Sequence, residues 1–155
     1  MIPSCPLCNN IRELPADNLV WQFPLSVAFL GPWQYYTGYC VLVSRIHYAE
    51  LHQMPTAERP KFLEEMVTLE RAIAETFQPR KMNCESLGNQ VPHLHWHLFP
   101  RSIQDPDTLK PVWIAIARAE EDEGEKHRLH TGTLSRGEII ARLKSTLHQL
   151  QAPRS

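Results

Sequence analysis

Between Thr56 and Phe77 the apolar residues Phe62, Leu63, Met66, Leu69, Ile73 and Phe77 recur at the spacing that gathers side chains on one face of a helix. The pattern predicts a long helix over 56–77, with Pro60 in its first turn and Pro79 closing it. Elsewhere the period shortens. The stretch "LVWQFPLSVAFLG", residues 19–31, reads as strand material interrupted by Pro24, and "GYCVLVSRIH", residues 38–47, as a buried strand opened by Gly38. The aromatic segment "PWQYYT" between them reads as a turn. "RKMNCESLGN", residues 80–89, reads as a short strand entering a loop at Gly88, and "VPHLHWHLFP", residues 91–100, as a strictly alternating strand.

Beyond residue 102 the pattern is weaker: "DPD" reads as a turn, "PVWIAIARAEEDEGE" as a helix and "HRLHTGT" as a loop. The end is clear again, because Ser135 followed by Glu138 forms a capping-box signature ahead of the amphipathic "SRGEIIARLKSTLHQL". Strands, a long helix, further strands and a terminal helix predict an α+β fold, with an antiparallel sheet of about five strands and a long and a C-terminal helix in a single domain over 1–155.

Composition narrows the function classes. A chain of 155 residues can bury one substantial core, and a net charge of −1 gives no basic footprint for nucleic acid, so an anionic substrate needs a local site. The opening "MIPSCPLCNN" lacks a cationic stretch followed by an apolar run, and no segment approaches the roughly 18 apolar residues of a membrane span; a soluble, cytoplasmic protein is expected. Of the four cysteines, Cys5 and Cys8 form a CxxC pair and Cys40 and Cys84 sit in apolar or mixed surroundings, which favours metal or redox chemistry over a disulfide framework.

Three of eight histidines, His93, His95 and His97, stand on alternate residues. Neighbours on one strand face lie about 6.6 Å apart, so the outer two are separated by roughly 13 Å and cannot readily close on one ion. Divided roles follow. Leu94, Trp96 and Leu98 point the other way and fix the register, aiming the histidine row outward. From spacing alone, a histidine-rich solvated face is the plain alternative; Gly88 and Asn89 just upstream argue instead for a loop that brings amides to an anion such as phosphate.

"HLHWHLF" fits the HφHφHφφ pattern, φ apolar, and resembles the histidine triad family of nucleotide hydrolases and transferases. "LGNQVPHLHWHLFPR" and "GYCVLVSRIH" extend the resemblance over about residues 5–101, leaving 102–155 as an extension it does not explain. The resemblance implies that His95 attacks phosphorus to give a covalent nucleotidyl-histidine and that His97 donates to phosphate oxygens. It places Asn89 at the usual Gln position to orient the phosphate, with Asn83 a weaker candidate. The implied substrates are phosphoanhydrides or phosphoramidates such as dinucleoside polyphosphates or AMP-amidates, with no catalytic metal. Such chemistry suits an imidazole that is neutral and nucleophilic near pH 7.

A lone CxxC is a zinc half-site, a redox pair or two incidental cysteines. The resemblance to zinc-containing triad proteins and to galactose-1-phosphate uridylyltransferases completes it as Cys5, Cys8, His47 and His93 around a structural zinc ion. Two positions depart from the family pattern: Tyr39 stands where many members have a histidine, and Gly31 where many have the aspartate that binds ribose hydroxyls. Phe29, Leu30 and Trp33 are candidates to cushion a base or to fill the core, and His52, His127, His130 and His148 are expected at the surface. A homodimer is implied, with "WQYY" and the long helix as candidate contacts. The rivals are a non-catalytic nucleotide-binding or scaffold protein, and a cupin-like metal enzyme, for which "LFPRSIQ" offers no Glu.

Overall fold

A computed structural model describes residues 5–155. Five antiparallel strands, β1 (Leu19–Gln22), β2 (Ser26–Leu30), β3 (Cys40–Ser44), β4 (Lys81–Glu85) and β5 (His95–Arg101), form one sheet in the order β1-β2-β3-β5-β4. The helices are α1 (Pro6–Glu13), α2 (Arg59–Phe77), α3 (Val112–Glu121), α4 (Glu123–His130) and α5 (Arg136–Gln149). The fold is α+β, as the pattern predicts. Among the described residues no helix is long and apolar enough to cross a membrane.

Alternation divides the sheet into two faces. Ala28, Leu30, Cys40, Leu42 and Leu98 pack with Leu69, Ala72 and Ile73 of α2 and with Ile139, Ile140, Leu143 and Leu147 of α5. On the opposite face Val41 pairs with His97 and Val43 with His95, so the catalytic candidates share the surface on which Val27 and Phe29 meet Leu7, Ile11 and Leu14 near α1. Tyr36, Tyr39 and Phe99 meet α3 and α4 through Val112, Ala115, Ile116, Ala119 and Leu129. The histidines therefore lie in a trough between α1 and α3.

Helix α2 begins at Arg59, three residues later than the apolar period indicates, with Pro60 inside its first turn and Gln78 closing it in the left-handed conformation at φ 49°. Its buried face also carries Glu65, which accepts from Leu25 N at 2.9 Å and Ser26 Oγ at 2.5 Å; burial pushes this carboxyl up from its ordinary range. Ser135 caps α5 as expected, accepting from Glu138 N at 3.2 Å.

Two sequence expectations need correction. The strand "VPHLHWHLFP" is regular only from His95, because Leu94 N turns to donate to Tyr48 O at 2.6 Å. The helix expected over 111–125 is two helices divided at Asp122, which caps α4 by accepting from Glu125 N at 2.9 Å, and α4 runs through His127 to His130, where a loop was expected. The "DPD" segment is a turn, as expected, with the side chains of Asp105 and Asp107 buried. Arg101, 1% exposed, donates to Asp105 Oδ2 at 3.0 and 2.7 Å, to Asp107 O at 2.6 Å, to Lys110 O at 2.8 Å and to Asn83 Oδ1 at 2.9 Å.

That network ties the segment after β5 back onto the sheet. Replacing Arg101 by Met removes the guanidinium paired with the buried Asp105 carboxylate, and an uncompensated buried charge typically costs about 3–5 kcal/mol. Urea unfolding of Arg101→Met is expected to show a loss of that order; a loss below about 1 kcal/mol would mean the guanidinium does not hold the segment.

Candidate active site and metal centre

The trough contains a cleft of about 580 Å³, lined by His95, His97, Tyr39, Trp33 and Trp113 on the sheet side and by Gly88, Asn89, Gln90 and Val91 from the loop between β4 and β5. Gly88 takes φ +73°, which lets the loop fold back over the strand. Asn89, the amide that the resemblance offers for orienting a phosphate, lines the cleft. Asn83 is not among the cleft-lining residues, and its side-chain oxygen accepts from Arg101.

The hydrogen bonds fix where the protons sit. His93 O can only accept, so His95 Nδ1, 2.5 Å away, carries a proton, and the ring in its one-proton form has its lone pair on Nε2. His95 Nε2 lies 3.1 Å from His97 Nε2, so the shared proton belongs to His97. His97 Nδ1 then accepts from the Tyr39 hydroxyl at 2.7 Å. Burial, and next the charge of His95, push His97 down to about 4, which keeps it neutral near pH 7; burial pushes the Tyr39 hydroxyl well above its ordinary range, which keeps it a donor. The row is not a solvated face: His93 is fully buried and His95 is 7% exposed.

His93 turns to another task. Its Nε2 donates to Ser44 O at 2.8 Å, and its Nδ1 faces Cys5 Sγ and Cys8 Sγ, each at 3.4 Å. His47 Nδ1 lies 3.3 Å from Cys8 Sγ, and the four ligand atoms all fall within 4.8 Å of one another. Zinc bonds of about 2.3 Å to sulfur and 2.0–2.1 Å to nitrogen imply S···N edges of about 3.5 Å in a tetrahedron, so the observed spacings fit such an ion. The bond to Ser44 O also protonates the remote nitrogen and leaves the near one free to ligate. The Pro6 start of α1 sets both thiols on the first turn, where Asn9 N donates to Cys5 O at 3.1 Å. His52, His127, His130 and His148 are exposed, as expected.

Gly31 and Tyr39 form an interlock. A Cβ at position 31 would lie 2.1 Å from Tyr39 Cε1, and the ring cannot swing aside while its hydroxyl holds His97 and its face stacks on Phe99 at 4.0 Å. Gly31 O accepts from Gln34 Nε2 at 2.9 Å and from Arg136 Nη1 at 3.0 Å, which fixes the backbone as well. Gly31→Ala is therefore expected to cost about 1–3 kcal/mol in the wild type and less in a Tyr39→Ala background. Equal costs in the two backgrounds, measured by denaturant unfolding, would show that the ring is not the obstacle. Phe29 and Leu30 are buried in the core clusters on opposite faces of β2, whereas Trp33 stacks on Tyr39 at 5.8 Å and lines the cleft.

Gln34 and Arg136 are supports that sequence reasoning missed. Gln34 donates to Gly31 O and to Tyr39 O and accepts from Gly38 N, closing the turn between β2 and β3, but nothing in "PWQYYT" marks it out. Arg136 reaches the same turn from 105 residues away, a separation no local pattern reveals.

A family model described as HIT domain matches residues 12–104. The chain belongs to the HIT domain family. The match includes all three histidines of the row and His47, while Cys5 and Cys8 lie ahead of it. This HIT domain is 24% identical over 149 residues to the adenosine 5'-monophosphoramidase HNT1 of Saccharomyces cerevisiae, covering 92% of the chain and 85% of the yeast protein. It matches the crystal structure of a histidine triad protein from Marinobacter aquaeolei with a TM-score of 0.69 and 26% identity, over 90% of this chain and 95% of that one. A zinc-bound histidine triad family protein from Mycobacterium smegmatis has the same fold, with a TM-score of 0.68, 17% identity and 96% of both chains covered.

Proposed function

We propose that this HIT domain is a nucleotide hydrolase or transferase that splits phosphoanhydrides or phosphoramidates through a nucleotidyl group carried on His95. The observation that carries this reading is the bond from His95 Nδ1 to His93 O, which leaves the lone pair on Nε2, beside the Nε2 of His97, on a ring that lines the cleft. That lone pair attacks phosphorus, the bond from phosphorus to the amine or phosphate breaks, and the departing group leaves with the electron pair and takes up a proton. Water then attacks the same phosphorus and the P–N bond returns its electrons to Nε2. His97 offers its Nε2 proton to the developing charge, and Asn89 donates to a non-bridging oxygen from the opposite wall. The yeast relative's phosphoramidase activity supports an AMP-amidate as the first substrate to try.

Cys5, Cys8, His47 and His93 would hold a zinc ion in a closed set of four ligands, a structural role with no open position for substrate. The zinc-bound relative and the fit of the S···N spacings support this assignment. By tying α1 to the end of β3 and the start of β5, the ion would fix His93 O, the acceptor that orients His95.

The deciding experiment is incubation with adenosine 5'-phosphoramidate and with diadenosine polyphosphates, following AMP release by chromatography without added metal. Steady AMP release is the expected result. Binding of these nucleotides with no turnover would replace the enzyme by a nucleotide-binding protein on the same fold.

A further inference from the structure

We propose that Tyr39 is a positioning residue, whose hydroxyl holds the single proton of His97 on Nε2, the nitrogen that faces His95 and the cleft. The inference rests on the reading of His95 as nucleophile for its kinetic consequence, but not for its structural one.

A neutral imidazole can carry its proton on either nitrogen, and its hydrogen-bond partners choose. With the proton on Nε2, His97 donates toward His95 Nε2 at 3.1 Å and its Nδ1 accepts from Tyr39 at 2.7 Å. With the proton on Nδ1 two faults appear at once. The lone pairs of His95 and His97 would point at each other, and the two protons of Tyr39 and His97 would compete for the space between their heavy atoms. The hydroxyl could turn to accept instead, but Tyr39 is 1% exposed and the bond to His97 is the one its hydroxyl makes among the described residues, so its own proton would then lie buried without an acceptor. The ring cannot drift away from this duty, because it stacks on Phe99 at 4.0 Å and 7° and covers the Cα of Gly31.

The consequence for turnover is direct. Only the Nε2–H form of His97 can donate to a phosphate oxygen held over His95, and only that form leaves the His95 lone pair unopposed. Tyr39 touches neither the substrate phosphorus nor the nucleophile, so its effect passes through His97.

Tyr39→Phe deletes the hydroxyl and keeps the ring over Gly31, so the fold is retained. Two readouts are made on the full chain: the tautomer of His97, from long-range proton–nitrogen correlation spectra of protein with nitrogen-labelled histidine, and the steady-state kinetics on adenosine 5'-phosphoramidate. The wild type is expected to show His97 protonated on Nε2 alone, and Tyr39→Phe to show a mixture. A fall in kcat of about 10- to 100-fold is expected in the variant, the range typical of losing an outer hydrogen bond that fixes a histidine tautomer, with KM within about twofold. An unchanged tautomer in Tyr39→Phe overturns the proposal whatever the rate does, and a shifted tautomer with unchanged kcat removes Tyr39 from turnover. If the wild type turns over no nucleotide, it is the enzymatic reading that fails, and the spectra still decide the proton's position.

Discussion

His95→Ala is expected to abolish turnover of adenosine 5'-phosphoramidate, lowering kcat by about three orders of magnitude or more, as deletion of a covalent nucleophile does elsewhere. His95 Nε2 is the unprotonated imidazole nitrogen in the row that neither faces the thiol cluster nor receives the Tyr39 proton. His97 Nε2 carries a hydrogen and His93 Nδ1 is turned toward Cys5 and Cys8, so neither substitutes for it. Intact mass of the wild type, quenched without acid, should show an added nucleotidyl group, and the variant none. Activity that survives in His95→Ala would sink the assignment of the nucleophile. Because His95 is 7% exposed and its ring edge opens on the cleft, the Ala variant is expected to stay folded, and its circular dichroism provides the control.

Loss of the proposed zinc is expected to have the second large effect. Zinc at one hundred to one thousand times its Kd would stabilise the folded chain by about 3–4 kcal/mol, and for a chain of this length about 3 kcal/mol corresponds to roughly 6–12 °C in thermal midpoint. Purified wild type is expected to carry close to one zinc per chain, and Cys8→Ser to carry much less and to melt lower by about that margin. The loss should concentrate at the N-terminal end, since α1 has no buried side chain among the described residues and meets Val27, Phe29 and Val43 of the sheet through partly buried Leu7 and Ile11. Hydrogen exchange would place it. Wild-type protein that contains no zinc and takes up none on dialysis would leave the four ligands without their ion.

Much of this molecule could be read from its sequence because the signals were local. The apolar run after Gly38 located β3, alternation located β5, the three- and four-residue period located α2, and Ser135 with Glu138 located the start of α5. Spacing implied divided roles for the three histidines and the family resemblance set His93 apart, and the structure turns these rings to different partners. Helix α1 escaped because only Leu7 and Ile11 in "PLCNNIRE" repeat at helical spacing, too few to show a period. The break between α3 and α4 escaped although Asp122 and Glu125 carry a capping signature like that at Ser135, hidden within an acidic run that reads as one solvated face. The burial of Arg101 with Asp105 and Asp107 was illegible for a different reason: charged residues are seldom interior, and only the fold reveals that they complete one another. Tyr39 was legible as a departure from the family pattern, but its hydroxyl bond to His97, 58 residues on, was not.

The interlock of Gly31 with Tyr39 also constrains how such a chain can change over time. Any side chain at position 31 must pass through a ring that is pinned by Phe99 and His97, so a descendant that acquires one has to exchange Tyr39 first. The reverse order leads through an overpacked intermediate, whereas the permitted order leads through one that lacks the hydroxyl on His97. The two positions are thus coupled in either order of change: one order crowds the ring, and the other gives up a buried ring stacked on Phe99 together with the hydroxyl on His97.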